Sequence, residues 1–146
     1  MSTLAENRKA LYDYTILDTY EAGIVLSGQE VKAVKGGEAS LQGSFVHIKG
    51  NEAYLTNAHI SHYKKAAPDP SYDPARDRKL LLTRKELLEI ADRRQSEGLT
   101  VVPLSIFTKR NLIKVKIGLA RGKRKYEKRE VIKKRETDRE IRRFTI

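Results

Sequence analysis

Alternating apolar and polar residues through most of the first 120 positions, two short helices with clear start signals, and lysines gathered on one strand face together predict a mainly β chain. At least five antiparallel strands are expected, wound into a closed or partly closed barrel of the oligonucleotide-binding kind; an open α+β sheet fits the same pattern. With 146 residues, 39% of them hydrophobic, there is material for one ordinary core. The expected organisation is therefore a barrel over residues 1–120 and a basic appendage over 121–146.

The elements follow in chain order. Residues 14–26 alternate, placing Tyr20, Ala22, Ile24 and Leu26 on one face and Glu21, Gly23 and Val25 on the other, with Gly23 a candidate bulge. Ser27-Gly28-Gln29-Glu30 reads as a capping box, in which the serine hydroxyl caps the third helical N–H and the glutamate reaches back to the cap. The helix it starts packs Val31 and Val34 and stops at Gly36-Gly37. A hairpin is expected from Phe45–Lys49, a Gly50-Asn51 turn, and Ala53 to Ile60. Pro68, Pro70 and Pro74 lack N–H donors and make residues 64–78 a long loop, with a possible helical turn at Asp73-Pro74. Thr83-Arg84-Lys85-Glu86 is a second capping box; its helix carries Leu87, Leu88, Ile90 and Ala91 and ends near Gly98. Val102, Leu104 and Ile106 mark a strand, Lys109-Arg110-Asn111 a turn, and Ile113, Val115, Ile117 and Leu119, interleaved with Lys114, Lys116 and Gly118, a last strand with one wet face.

Thirty Lys and Arg against nineteen Asp and Glu give a net charge of +11 and point to a polyanionic partner. Residues 121–146 hold twelve of those cations against five anions, hence +7 of the total. Lys114 and Lys116 stand about 6.5–7 Å apart on one strand face, close to the spacing of successive phosphates. An edge protected from aggregation by lysine accounts for that pair equally well, and the basic tail tips the reading towards nucleic acid. Membrane association is not expected: no apolar run approaches the roughly 18–20 residues of a spanning helix, no secretory signal is visible, and the tail lacks an apolar face. A soluble, cytoplasmic protein is expected.

Catalysis is not expected either. Cysteine is absent, so disulfides, thiolate nucleophiles and thiolate metal sites are excluded together. His47, His59 and His62 make a weak metal pattern and are read as surface or base-stacking histidines. Asp69, Asp73 and Asp77 have the spacing of a Pro-rich loop with basic residues between them, and Arg121-Gly122-Lys123-Arg124 lacks the glycine spacing of a phosphate-binding loop. No metal and no cofactor are implied. A structural ribosomal protein and an enzyme acting on RNA are the rival classes.

Asn7-Arg8-Lys9-Ala10, Tyr20-Glu21-Ala22-Gly23-Ile24, Gly28-Gln29-Glu30-Val31-Lys32, Asp73-Pro74-Ala75-Arg76, Arg78-Lys79-Leu80-Leu81-Leu82, Val102-Pro103-Leu104 and Lys114-Val115-Lys116-Ile117-Gly118-Leu119-Ala120 occur in this order and spacing along essentially the whole chain. Together they closely resemble the small protein B family, the transfer-messenger RNA (tmRNA)-binding proteins of bacterial trans-translation. The resemblance implies a six-stranded antiparallel oligonucleotide-binding barrel with two or three short helices. It implies binding to the transfer-like domain of tmRNA, one monomer per RNA, and delivery to stalled ribosomes. The basic tail, disordered when free and helical when bound, then occupies the decoding centre of the small subunit and the mRNA channel.

By motif position, the resemblance assigns RNA binding to Tyr14, Glu21, Leu81 and Lys114, and Lys116 joins them on the strand face. Glu21 is suited to accept from base amino or imino groups, or else pairs with a nearby Arg. Tyr14 would stack, although strand parity without a bulge points it inward; Leu81 is expected to act through packing. Tyr126, Glu127, Lys128, Arg129, Lys133, Lys134 and Arg135 fall in the ribosome-probing tail. The family usually has Asp-Lys-Arg where this chain has Glu127-Lys128-Arg129, which keeps the charge and adds one methylene of reach.

Overall fold

Residues 2–123 are described in the computed structural model, and they are mostly β with three helices. The longest strands are β2 (Tyr14–Ile24), β8 (Thr100–Lys109) and β9 (Leu112–Gly122). β8 and β9 form a hairpin whose two-residue loop, Arg110 and Asn111, has φ of 53° and 65°. Two successive left-handed residues make a turn whose twist matches that of the flanking strands. β2 then pairs antiparallel with the other edge of β9.

Around this trio run β1 (Ser2–Glu6), β4 (Phe45–Lys49), β5 (Glu52–Thr56) and β7 (Arg78–Leu81), in the ladder order β1-β8-β9-β2-β7-β5-β4. β3 (Ala39–Ser40) and β6 (His59–Ile60) pair separately. β4 also approaches β8 within 8 Å between Cα atoms, so the sheet curls, and no hydrogen-bonded pairing joins its two ends among the described residues. Nine strands thus stand among the described residues where six were expected. β1 has no amphipathic signature of its own and exists by adding to the edge of β8.

Both capping boxes are present. Ser27 and Thr83 accept from the N–H groups of Glu30 and Glu86, whose carboxylates accept in return from the Ser27 and Thr83 N–H groups. They open α2 (Gly28–Lys35) and α3 (Arg84–Glu97), and Gly98, at φ 65°, ends α3 as expected. A shorter helix, α1 (Arg8–Asp13), was not anticipated. Its cap, Asn7, is buried; the side chain accepts from Ala10 N–H and donates to the Pro103 carbonyl at 2.8 Å, fastening α1 to β8.

Three expectations are corrected. The expected second strand from Ala53 to Ile60 breaks at Asn57, whose φ of 63° is incompatible with a continuous strand. α3 buries only Ile90 among its residues and leaves Leu88 exposed, so its tie to β2 is largely polar: Tyr20 donates to Glu89 at 3.0 Å and Arg93 meets Asp18 at 3.1 Å. The bulge in β2 lies not at Gly23 but between Ile16 and Asp18. Before it, Tyr14 and Ile16 pair with Gly122 and Ala120; after it, Tyr20 and Ala22 pair with Ile117 and Val115.

That extra residue divides the apolar interior. Ala22, Leu55, Ile60, Leu80, Ile90, Ile106, Val115, Ile117 and Leu119 form the main core. Ala10, Val102 and Ala120 form a second, smaller cluster, joined by Tyr14, Ile16 and Leu104. A matching irregularity between Pro103 and Ser105 in β8 explains why Val102 and Ile106, expected on one face, serve different clusters.

The Pro-rich loop is pinned by an ionic network that the sequence did not reveal. Arg78 is wholly buried; it donates to Glu30 at 2.6 and 2.9 Å, to the Ala58 carbonyl at 2.6 Å and to the Pro74 carbonyl at 3.0 Å. Arg76 reaches the same carboxylate from the solvent side, and the Tyr72 hydroxyl donates to the Ile60 carbonyl at 2.7 Å. Burial of Glu30 pushes its pKa up, but hydrogen bonds from Arg76, the Ser27 N–H and Arg78 outweigh this and hold it at about 2.

Candidate nucleic-acid interface

β7, β2 and β9 lie side by side where Gly23 pairs with Leu81 on one flank and Lys114 on the other. Glycine lets the two strands pack closely there, because a Cβ on residue 23 would sit 3.2 Å from the Leu81 Cβ and Leu81 would have to give by a few tenths of an ångström. Two residues back along β2, Glu21 pairs with Lys116. Alternation therefore gathers Glu21, Leu81, Lys114 and Lys116 on the outer face of the sheet, opposite the core residues Ala22, Leu80, Val115 and Ile117.

Glu21 and Lys116 are exposed and Lys114 is half-buried. The partner of Glu21 is Lys109 rather than an arginine, at 3.1 Å, and both side chains are nearly half exposed. Such a pair contributes at most about 1 kcal/mol, so the carboxylate can leave it for other donors at little cost. Leu81 is 52% exposed, which corrects the expectation that it acts through packing. It offers the interface an apolar contact between the charged rows.

Tyr14 is not part of this group. The bulge turns it to the outer face, yet at the opposite end of β2, half-buried against the small cluster of Ala10, Val102 and Ala120. It lines a cleft of about 210 Å³ together with Lys9, Asp13 and Phe45. Tyr126, Glu127, Lys128, Arg129, Lys133, Lys134 and Arg135 lie outside the described residues. Just before them, Lys123 is tied to α1: its N–H donates to the Asp13 carbonyl at 2.9 Å and its ammonium to the Leu11 carbonyl at 2.8 Å.

Two of the three carboxylates of the Pro-rich loop serve local turns. Asp69 accepts from the N–H and hydroxyl of Ser71, and Asp73 from the Ala75 N–H. Hydrogen bonding to Ser71 holds the Asp69 pKa below the usual carboxylate range. His62 meets Tyr72 edge-on at 6.0 Å, His59 lies exposed on β6, and His47 lies exposed on β4. Among the described residues no three His, Asp or Glu gather as metal ligands, and no helix is long and apolar enough to cross a membrane.

The outer face also carries His47, read from the sequence as a surface or base-stacking histidine, and Phe45, Tyr54, Lys79 and Lys109, to which the sequence reading gave no binding role. The alternation of the 45–49 strand already put Phe45 and His47 on its wet face; what was missing was the identity of the neighbouring strands.

Comparison with known proteins places the chain in a family. An SsrA-binding protein of Rubrobacter xylanophilus is 49% identical over 143 residues, covering 98% of this chain and 95% of the relative. One from Ligilactobacillus salivarius is 47% identical over 142 residues, covering 97% and 91%. A solved chain described as "tmRNA-SmpB: a journey to the center of the bacterial ribosome" superposes with a TM-score of 0.67 at 44% identity, covering 87% of this chain and 92% of that one. The family model described as "SmpB protein" matches residues 4–145, so nearly every residue that builds the sheet and its outer face falls within the match, and the chain belongs to the SmpB family.

Proposed function

We propose that this chain is a tmRNA-binding protein of trans-translation, which brings tmRNA to stalled ribosomes for rescue and peptide tagging. The observation that carries the reading is the meeting of Glu21, Leu81, Lys114 and Lys116 on one solvent face of an SmpB-family chain. Its role is adaptor rather than enzyme. The RNA lies on that face through its transfer-like domain, with Glu21 accepting from base edges, Lys114 and Lys116 meeting phosphates, and Tyr14 contacting a second point. In our reading the curled sheet acts as a barrel of oligonucleotide-binding type. The expected boundary after residue 120 moves, because Arg121 and Gly122 belong to β9 and Lys123 is tied to α1; the residues after Lys123 form a separate basic tail, disordered when free, which folds as a helix in the decoding centre and mRNA channel. The protein works as a cytoplasmic monomer, one per tmRNA, without a cofactor.

The test is a titration of labelled tmRNA and of ordinary tRNA at matched salt. tmRNA binds more tightly, and its affinity falls roughly tenfold per decade of salt for each one to one and a half phosphate contacts. Equal affinity for both RNAs removes the assignment, and a flat salt response removes the electrostatic part of it. Glu21→Gln weakens tmRNA binding by about 1–3 kcal/mol if the carboxylate reads a base. The melting temperature stays unchanged, because the Lys109 pair is exposed. A matching fall in melting temperature would move Glu21 to a structural role.

A further inference from the structure

The hairpin of β4 and β5 presents three rings on the same outer face as Leu81 and Lys114. His47 pairs with Tyr54, Tyr54 pairs in turn with Lys79 of β7, and Phe45 pairs with Thr56 at the start of the hairpin. Lys49, two residues beyond His47, faces the same way. Phe45 is 47% exposed and His47 is open to solvent. Tyr54 is half-buried and held by its hydroxyl, which donates to Glu52, while Glu52 also holds Lys79 at 3.2 Å.

Cross-strand contact explains His47 beside Tyr54, since rings directly opposite on a ladder stabilise a hairpin. Phe45 opposite the β-branched Thr56 gains from the same kind of contact, but that contact leaves nearly half the surface of Phe45 in water. The position of the rings does suggest a use. Through β7 the face runs on to Leu81, Gly23 and Lys114, and at the other end Phe45 walls the cleft that contains Tyr14 and Lys9. The rings thus lie between the Glu21–Lys114 surface and Tyr14, which the fold holds apart, and lysines flank them.

We propose that Phe45, His47 and Tyr54 are a stacking platform for unpaired bases of the bound RNA, with Lys49 and Lys79 at its phosphates. Bases of any identity stack on such rings, and a loop whose bases are splayed out is the RNA form that presents them. The proposal rests on the reading that RNA lies on this outer face.

The experiment measures affinity of the full chain for the labelled transfer-like domain of tmRNA across a salt series, with a melting curve for each variant. Phe45→Leu and His47→Ala weaken binding roughly five- to a hundredfold per stacked base, with an unchanged salt slope, because stacking releases no counterions. Phe45→Tyr, which keeps the ring, binds like the parent. Lys79→Gln lowers the salt slope by about 0.7–0.9, the share of one phosphate contact. The platform is wrong if Phe45→Leu and His47→Ala bind like the parent while Glu21→Gln is weakened. It is equally wrong if their losses follow a fall in melting temperature, which would make the rings hairpin packing. If Glu21→Gln also binds like the parent, RNA lies elsewhere and the underlying surface reading falls with it.

Discussion

Replacing Arg78 with methionine lowers the stability of the folded chain by about 3–5 kcal/mol, the usual cost of leaving a buried charge without its partner. Glu30 is 2% exposed, and Arg78 supplies two of its hydrogen bonds. Arg76 remains in the variant but approaches from a partly exposed side, and the Ala58 and Pro74 carbonyls lose their donor. Denaturant unfolding at neutral pH measures the loss. A change below 1 kcal/mol would mean that water enters and replaces the guanidinium. The same network sets an acid limit. The folded pKa of Glu30, about 2, lies below its ordinary 4.5, so its contribution is complete above about pH 5 and is lost as pH falls towards 2. That contribution amounts to roughly 3 kcal/mol. In Arg78→Met this acid dependence shrinks only in part, because the hydrogen bonds from Arg76 and the Ser27 N–H still hold the carboxylate, which unfolding curves at pH 3 and pH 7 will reveal.

Truncation after Lys123 abolishes peptide tagging on stalled ribosomes while tight tmRNA binding survives. The cut falls after the last strand and retains both bonds from Lys123 to α1, so no buried strand and little stability are lost. Ending the chain at Ala120 instead would remove Arg121 and Gly122, which still pair with Thr15 and Tyr14. The outer face with Glu21 and Lys114 stays whole. The removed residues carry much of the positive charge, so affinity falls modestly at low salt and less at high salt. What is lost is a segment with Tyr126 to stack and Lys128 and Arg129 to meet phosphates on ribosomal RNA. RNA affinity and tagging are to be measured on the same truncated protein. Surviving tagging would refute the decoding-centre role, and a collapse of RNA binding beyond the electrostatic loss would place the tail within the RNA site.

Local chemistry was legible wherever it needed only neighbours in sequence. Both capping boxes, the Gly98 stop, the β8–β9 hairpin and the inward row of Val115, Ile117 and Leu119 follow from spacing alone. The Glu30–Arg78 network was hidden because its members are 48 residues apart and because Glu30 already had a complete local role in the cap. Leu81 was misjudged for a related reason. An apolar residue in an apolar run looks buried, and only the pairing of its neighbour Leu80 with Ala53 and Ile24 assigns the run its inner and outer faces. The aromatic content of β4 and β5 was written in the sequence, but its connection to Lys79, Leu81 and Lys114 required the order of strands.

The extra residue between Ile16 and Asp18 acts as a phase shift. Upstream of it even-numbered residues of β2 face outward with Gly122 and Ala120, and downstream of it even-numbered residues face the main core. Deleting Leu17, the exposed and unpaired residue of the bulge, would therefore leave the pairing on either side of it intact. It would join Ile16 directly to Asp18, whose partners Ala120 and Leu119 are already adjacent, so the ladder would close without the bulge and Tyr14 and Ile16 would keep the outer side that the cleft needs. In comparing relatives, a one-residue gap at this point is thus the loss of a bulge and not a change of face, and two chains identical in residues 8–16 but differing there would present the same side chains on the same side of the sheet.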